Sequence, residues 1–130
     1  MTPEQAFAAL NSSDFYKLSD ALEVLGQYRY APAVEKLIEM LDSPTVDVGL
    51  IVKVAKALSV IGTPLALDAL ATYLFAETTQ LSRHAYEQTT FEKITRSAIV
   101  SAAAKRALKE VNTPEAQAIL QEWERRRQGG

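Results

Sequence analysis

Apolar side chains recur along this chain at positions i, i+3, i+4 and i+7. The pattern appears three times: Leu18, Ala21, Leu22, Leu25; then Val54, Ala57, Leu58, Ile61; then Ala104, Ala107, Leu108, Val111. That spacing places four side chains on one stripe of an α-helix. Each stripe is followed by a break and a second stripe. Val34, Leu37, Ile38 and Leu41 follow the first, Leu67, Leu70, Ala71 and Leu74 the second, and Ala116, Ile119, Leu120 and Trp123 the third. The segment 44–62 is apolar almost all round, which predicts a helix buried at the centre of the molecule.

Polar punctuation divides these stripes into helices. Thr2-Pro3, Ser43-Pro44, Thr63-Pro64 and Thr113-Pro114 each read as a helix start. The hydroxyl accepts from a free backbone N–H, and proline at the first helical position lacks an N–H that would go unpaired there. Gln5 and Glu92 stand three residues after Thr2 and Thr89, as a capping box requires. Gly26, Gly62 and Asn112 follow the three stripes, where a left-handed residue can end a helix. The map is a short helix at 3–10 and three pairs: 14–26 with 31–42, 44–62 with 64–75, and 90–111 with 114–127.

A helix pair repeated in this way cannot bury its apolar stripe alone and must stack on its neighbours, as in an α-solenoid. The expectation is one all-α domain over residues 1–130, about three helix pairs preceded by a short helix. The last pair has the polar outer positions Gln117, Gln121, Glu122, Glu124 and Arg125 that a terminal repeat needs, with Trp123 closing the core.

The run Val54-Ala55-Lys56-Ala57-Leu58-Ser59-Val60-Ile61-Gly62-Thr63-Pro64-Leu65-Ala66-Leu67-Asp68-Ala69-Leu70 resembles a HEAT-like repeat. That family runs Ala-Ala-x-Ala-Leu-x-x-Ile-Gly-Asp-Pro-x-Ala-Val-x-x-Leu. The first pair is similar with three extra residues after Gly26, and the third through Asn112-Thr113-Pro114. The resemblance implies a right-handed α–α superhelix whose second helices line a concave face. It is similar to the short HEAT-like repeats of phycobilin lyases in phycobilisome-bearing organisms. Those lyases are longer arrays acting as two unlike subunits, and Ile51 and Ser101 stand where the family often has an Arg of an inter-repeat ladder. The motif fixes core residues and therefore speaks to fold more than to function.

Composition narrows the function classes. Of 130 residues, 48% are apolar, the net charge is −2 and cysteine is absent. Neither sign dominates, so nucleic acid and anionic membrane are not expected partners. Disulfides and thiolate metal sites are excluded. The start Met-Thr-Pro-Glu-Gln has no basic or long apolar segment of a signal peptide, so a cytoplasmic protein is expected. The only histidine, His84, lies two residues from Ser82, too close in sequence to face it on a helix. Glu35 with Glu39 reads as a solvated helix face. No catalytic centre, metal or cofactor is expected.

Three surfaces are candidates for binding another protein. On the second helices, Glu35, Asp68 and Gln117 align in one row and Glu39, Thr72 and Gln121 in another, with Tyr73 beside them; this face is mildly acidic. The expanded turn brings Tyr28, Arg29 and Tyr30, residue types enriched in binding hot spots. The long connection 76–89 offers Arg83, His84 and Tyr86, since insertions in repeats tend to lie on the binding face. The reading is a non-catalytic scaffold, adaptor or assembly factor. The alternative is a phycobilin-lyase-related protein that handles a bilin chromophore or partners a lyase.

Overall fold

The computed structural model describes residues 1–43, 46–76 and 91–129. These residues form seven α-helices: α1 (Pro3–Ala9), α2 (Phe15–Gln27), α3 (Val34–Asp42), α4 (Val48–Ile61), α5 (Pro64–Ala76), α6 (Phe91–Val111) and α7 (Pro114–Gly129). A 3₁₀ turn, Ala31–Ala33, precedes α3. The protein is all-α over the described residues. The Thr89–Glu92 capping box and the connection 77–90, with Arg83, His84 and Tyr86, lie outside the described residues.

Local chemistry sets the helix ends. The Thr2 hydroxyl accepts from the Gln5 N–H at 3.1 Å, and the Gln5 side chain accepts from the Thr2 N–H at 2.9 Å. Thr63 and Thr113 accept from the N–H groups of Ala66 and Ala116 at 3.3 and 3.2 Å. Each helix thereby satisfies donors that have no partner in its first turn. Gly62 and Asn112 adopt φ of 66° and 51°, the left-handed endings their residue types favour.

Two expected boundaries are corrected. Ser43 does not open α4; it closes α3 with extended backbone, φ −78° and ψ 125°. A residue before proline is driven to that conformation. Asp47 opens α4 instead, its carboxylate accepting from the Gly49 N–H at 2.7 Å. Gly26 does not end α2 either. It lies inside the helix, and Arg29 takes the left-handed conformation with φ 50°. The N–H groups of Tyr30 and Arg29 reach back to the carbonyls of Leu25 and Gly26 at 3.0 and 3.1 Å. This is the Schellman closure, with arginine where glycine is usual.

Helix α4 is the hub. It packs most extensively on α6 and α2, and also against α3 and α5. Leu50, Ile51, Val54, Ala55, Ala57, Leu58 and Ile61 are all buried. Filling both flanks of one helix this way contributes about 1.5–3 kcal/mol for each large side chain. The expectation of burial all round fails at one column: Val48 and Val52 remain 46% and 41% exposed. They occupy i and i+4 of the same face, which no described helix covers.

Three contacts fix the relation of α2 to α4. Phe15 lies beside Gly49, the Glu23 carboxylate accepts from Lys53 at 3.1 Å, and Gly26 faces Ala57. Residue numbers rise together on the two helices, so they run in the same direction. Helix α3 meets α5, and α5 meets α7, on the other side of α4. Direct contact between α2 and α3 is slight, because the longer turn after α2 and the 3₁₀ turn carry α3 toward α4.

The two left-handed positions predict opposite responses. Gly62→Ala adds a Cβ at φ 66° and should cost about 1–2 kcal/mol, whereas Arg29→Gly relieves the same strain and should gain up to about 1 kcal/mol. Urea denaturation followed by circular dichroism measures both. Equal and neutral effects would contradict the assignment of strain to these φ values.

Candidate functional site

The ridge of second helices carries the expected row residues at its surface. Glu35, Glu39, Asp68, Thr72, Gln117 and Gln121 are all exposed. Several are engaged within the chain. Lys36 sits 3.7 Å from Glu39. The Thr72 hydroxyl donates to the Asp68 carbonyl at 2.8 Å. The Gln117 amide donates to the Asn112 side chain. Tyr73 is half-buried against the core, and its hydroxyl donates to the Asp42 carboxylate, joining the C-terminal ends of α5 and α3. It is therefore a strut between helices as well as a surface group. Of the expected row residues, Glu35 and Asp68 are the acidic side chains without an ion pair among the described residues.

The expanded turn divides its residues between two tasks. Tyr30 folds back on α1, its ring 6.0 Å from Phe7 in an edge-to-face arrangement. Such a pair adds about 0.5–1.5 kcal/mol beyond area burial. Tyr28 is 59% exposed, and Arg29 is exposed beside it. Chain folding uses the third residue and leaves the first two at the surface.

Two hollows flank α2. One of about 560 Å³ opens where α2 and α3 part, with Leu18, Met40 and Leu50 inside and Lys36 and Glu39 at its rim. The other, about 350 Å³, lies along the seam of α2 and α4. Leu22, Gly26, Ala57 and Val60 form its floor, and Glu23, Gln27, Lys53 and Lys56 surround it. It exists because glycine faces alanine where the two helices approach. The sequence does hold a signal for this. Gly26 continues the i, i+4 line from Leu18 through Leu22, which marks a helix-face position rather than a helix end.

The C-terminal arginines also have defined partners. Arg125 and Arg126 both donate to the Glu122 carboxylate. Arg126 lies 4.4 Å from the centre of the Phe75 ring, tying α7 to α5. Lys105 and Arg127 stand 4.2 and 5.1 Å from the centre of the Trp123 ring. Trp123 itself is buried, with no hydrogen-bond partner for its Nε1. An unpaired buried donor costs about 1–3 kcal/mol, which burial of the large ring and the two cations offset. These contacts hold α7 against α5 and α6.

Among the described residues, no three His, Asp or Glu side chains converge. No described helix is long and apolar enough to cross a membrane. No family model, curated protein or solved structure matches the chain.

The Arg125 and Arg126 side chains hold the Glu122 carboxyl at a pKa of about 2, well below its ordinary value of 4.5. A depressed carboxylate pKa stabilises the fold above the unfolded value and loses that contribution as pH falls from about 4.5 toward 2. Carbon-detected NMR should find a Glu122 midpoint well below the ordinary carboxylate value of 4.5. In Arg125→Gln with Arg126→Gln the midpoint should return to the ordinary range. A wild-type midpoint already in that range would disprove the pairing.

Proposed function

We propose that this chain is a non-catalytic protein-interaction scaffold, an adaptor or assembly factor. In this reading it is a short right-handed solenoid of about three HEAT-like helix pairs preceded by the short helix α1. The observation that carries the proposal is the like-to-like packing of helices. Helix α2 runs alongside α4 in the same direction, α4 packs on α6, and α3, α5 and α7 follow one another across the core. Stacking of this kind presents matching positions of successive repeats side by side, and such ridges are the extended binding surfaces of repeat proteins.

The ridge of α3, α5 and α7 is the proposed partner face. Its free carboxylates, Glu35 and Asp68, favour a partner with a basic surface through complementary potential. Tyr73 supplies apolar area on the same ridge, at the C-terminal ends of α3 and α5. Polar side chains tied down within the chain, such as Gln117 and Thr72, lose little further freedom on binding. The connection 76–89 is a second element of the proposed face on sequence grounds alone.

Reversal of Glu35, Glu39 and Asp68 to Lys tests the proposal. Exposed charges add about 0–1 kcal/mol each to stability, so the thermal midpoint should stay nearly unchanged. The association rate for a partner captured with the wild-type chain should fall several-fold, most at low salt, where screening is weakest. Surface plasmon resonance at two ionic strengths measures it. Unchanged association kinetics would remove the ridge as the partner face.

A further inference from the structure

The two sides of this molecule join their helices differently. On one side α2 packs extensively on α4, and α4 on α6. On the other, α3 meets α5 and α5 meets α7 only slightly. These second helices are seated instead on the core beneath them. Leu37 and Leu41 of α3, and Leu70 and Leu74 of α5, are fully buried. Such burial fixes how deeply each helix sits, but apolar attraction is non-directional and sets lateral spacing only weakly.

A specific side-chain bridge spans each lateral gap, and both bridges lie at the same end. Between α3 and α5 the Tyr73 hydroxyl donates to the Asp42 carboxylate. Between α5 and α7 the Arg126 guanidinium lies 4.4 Å from the centre of the Phe75 ring. Asp42 ends α3, Tyr73 and Phe75 stand in the last turn of α5, and Arg126 stands in that of α7. Both contacts have a required geometry, one as a hydrogen bond to an ionised acceptor and the other as a cation over a ring face. Arg126 is further aimed by Glu122, which accepts from its Nε at 3.0 Å. Toward the N-terminal ends the row residues Glu35, Asp68 and Gln117 are exposed. Among the described residues no hydrogen bond or ion pair there joins one second helix to the next.

We propose that these two bridges are clasps that set the spread of the ridge. They pin α3, α5 and α7 together at their C-terminal ends and leave the N-terminal ends free to fan apart. Releasing a clasp lets that pair of second helices separate, while the packed α2–α4–α6 side holds and acts as the spine. The ridge thereby adjusts the spacing of Glu35 and Asp68 without unfolding. Only this last use, fitting the ridge to a partner, rests on the scaffold reading; the clasps themselves are a property of the fold.

The chain has no cysteine, so pairs of spin labels can be placed at chosen exposed sites. Double electron–electron resonance then reads the distances between helices. A pair at Glu39→Cys and Thr72→Cys reports the clasped end of α3 and α5. A pair at Asp20→Cys and Lys56→Cys reports α2 and α4. Tyr73→Phe keeps the ring and removes the hydroxyl. It should lengthen and broaden the 39–72 distribution and leave the 20–56 distribution as in the wild type. Asp42→Ala, at an exposed helix end, should do the same and covers the case in which Tyr73→Phe disturbs folding. Arg126→Gln should broaden the distribution between labels at 72 and 121 in the same way. Unchanged 39–72 and 72–121 distributions in these variants would overturn the proposal. Equal broadening of the 20–56 pair would overturn it too, because the bridges would then support the whole fold rather than the ridge. Either result leaves the scaffold reading standing if a captured partner still responds to reversal of the ridge charges.

Discussion

One helix with apolar residues on both flanks organises this molecule. An ordinary surface helix has a single apolar stripe and needs one neighbour. Helix α4 buries Leu50, Ile51, Val54, Ala55, Ala57, Leu58 and Ile61, which span far more than one stripe. It must be packed from several sides at once, and α2, α6, α3 and α5 supply the neighbours. Helices α2, α3, α5 and α6 find their places by packing onto α4, while α1 packs on α2, and α7 on α6 and α5. On α7, Trp123 is buried with Lys105 and Arg127 against its ring.

The surface follows from how closely the helices approach this hub. Where α2 meets α4, glycine faces alanine and a small-residue hollow results. A wider hollow opens where the start of α2, the end of α3 and the start of α4 diverge, beside Leu18, Met40 and Leu50.

The sequence makes the core legible because helical periodicity is a local property. Leu22, Leu58 and Leu108 occupy equivalent stripe positions and are all fully buried. Caps were legible for the same reason, since Thr63 and Thr113 act on N–H groups three residues away. The start of α4 was not, because Ser43-Pro44 and Asp47 both offer a cap and local chemistry does not rank them. Gly26 misled because glycine serves equally as a helix terminator and as a site of close approach, and only the position of Ala57 on another helix decides between them. The tie of Tyr73 to Asp42, 31 residues away, depends on how α3 and α5 meet, which no local pattern encodes. The proposed partner face depends on the same kind of long-range geometry. The ridge residues could be placed in rows from the stripes, whereas the seam hollow needed the approach of two helices to appear.

Native-state hydrogen exchange tests the central claim most directly. If α4 is the hub, the amides of Val54, Leu58, Ala104 and Leu108 should exchange only through global unfolding, with one common opening free energy. The amides of α1 and of the last turn of α7 should open at lower free energy, since they have neighbours on one side only. Opening of α4 at a lower free energy than α1 or α7, or exchange of α4 and α6 as independent units, would contradict a structure organised around α4.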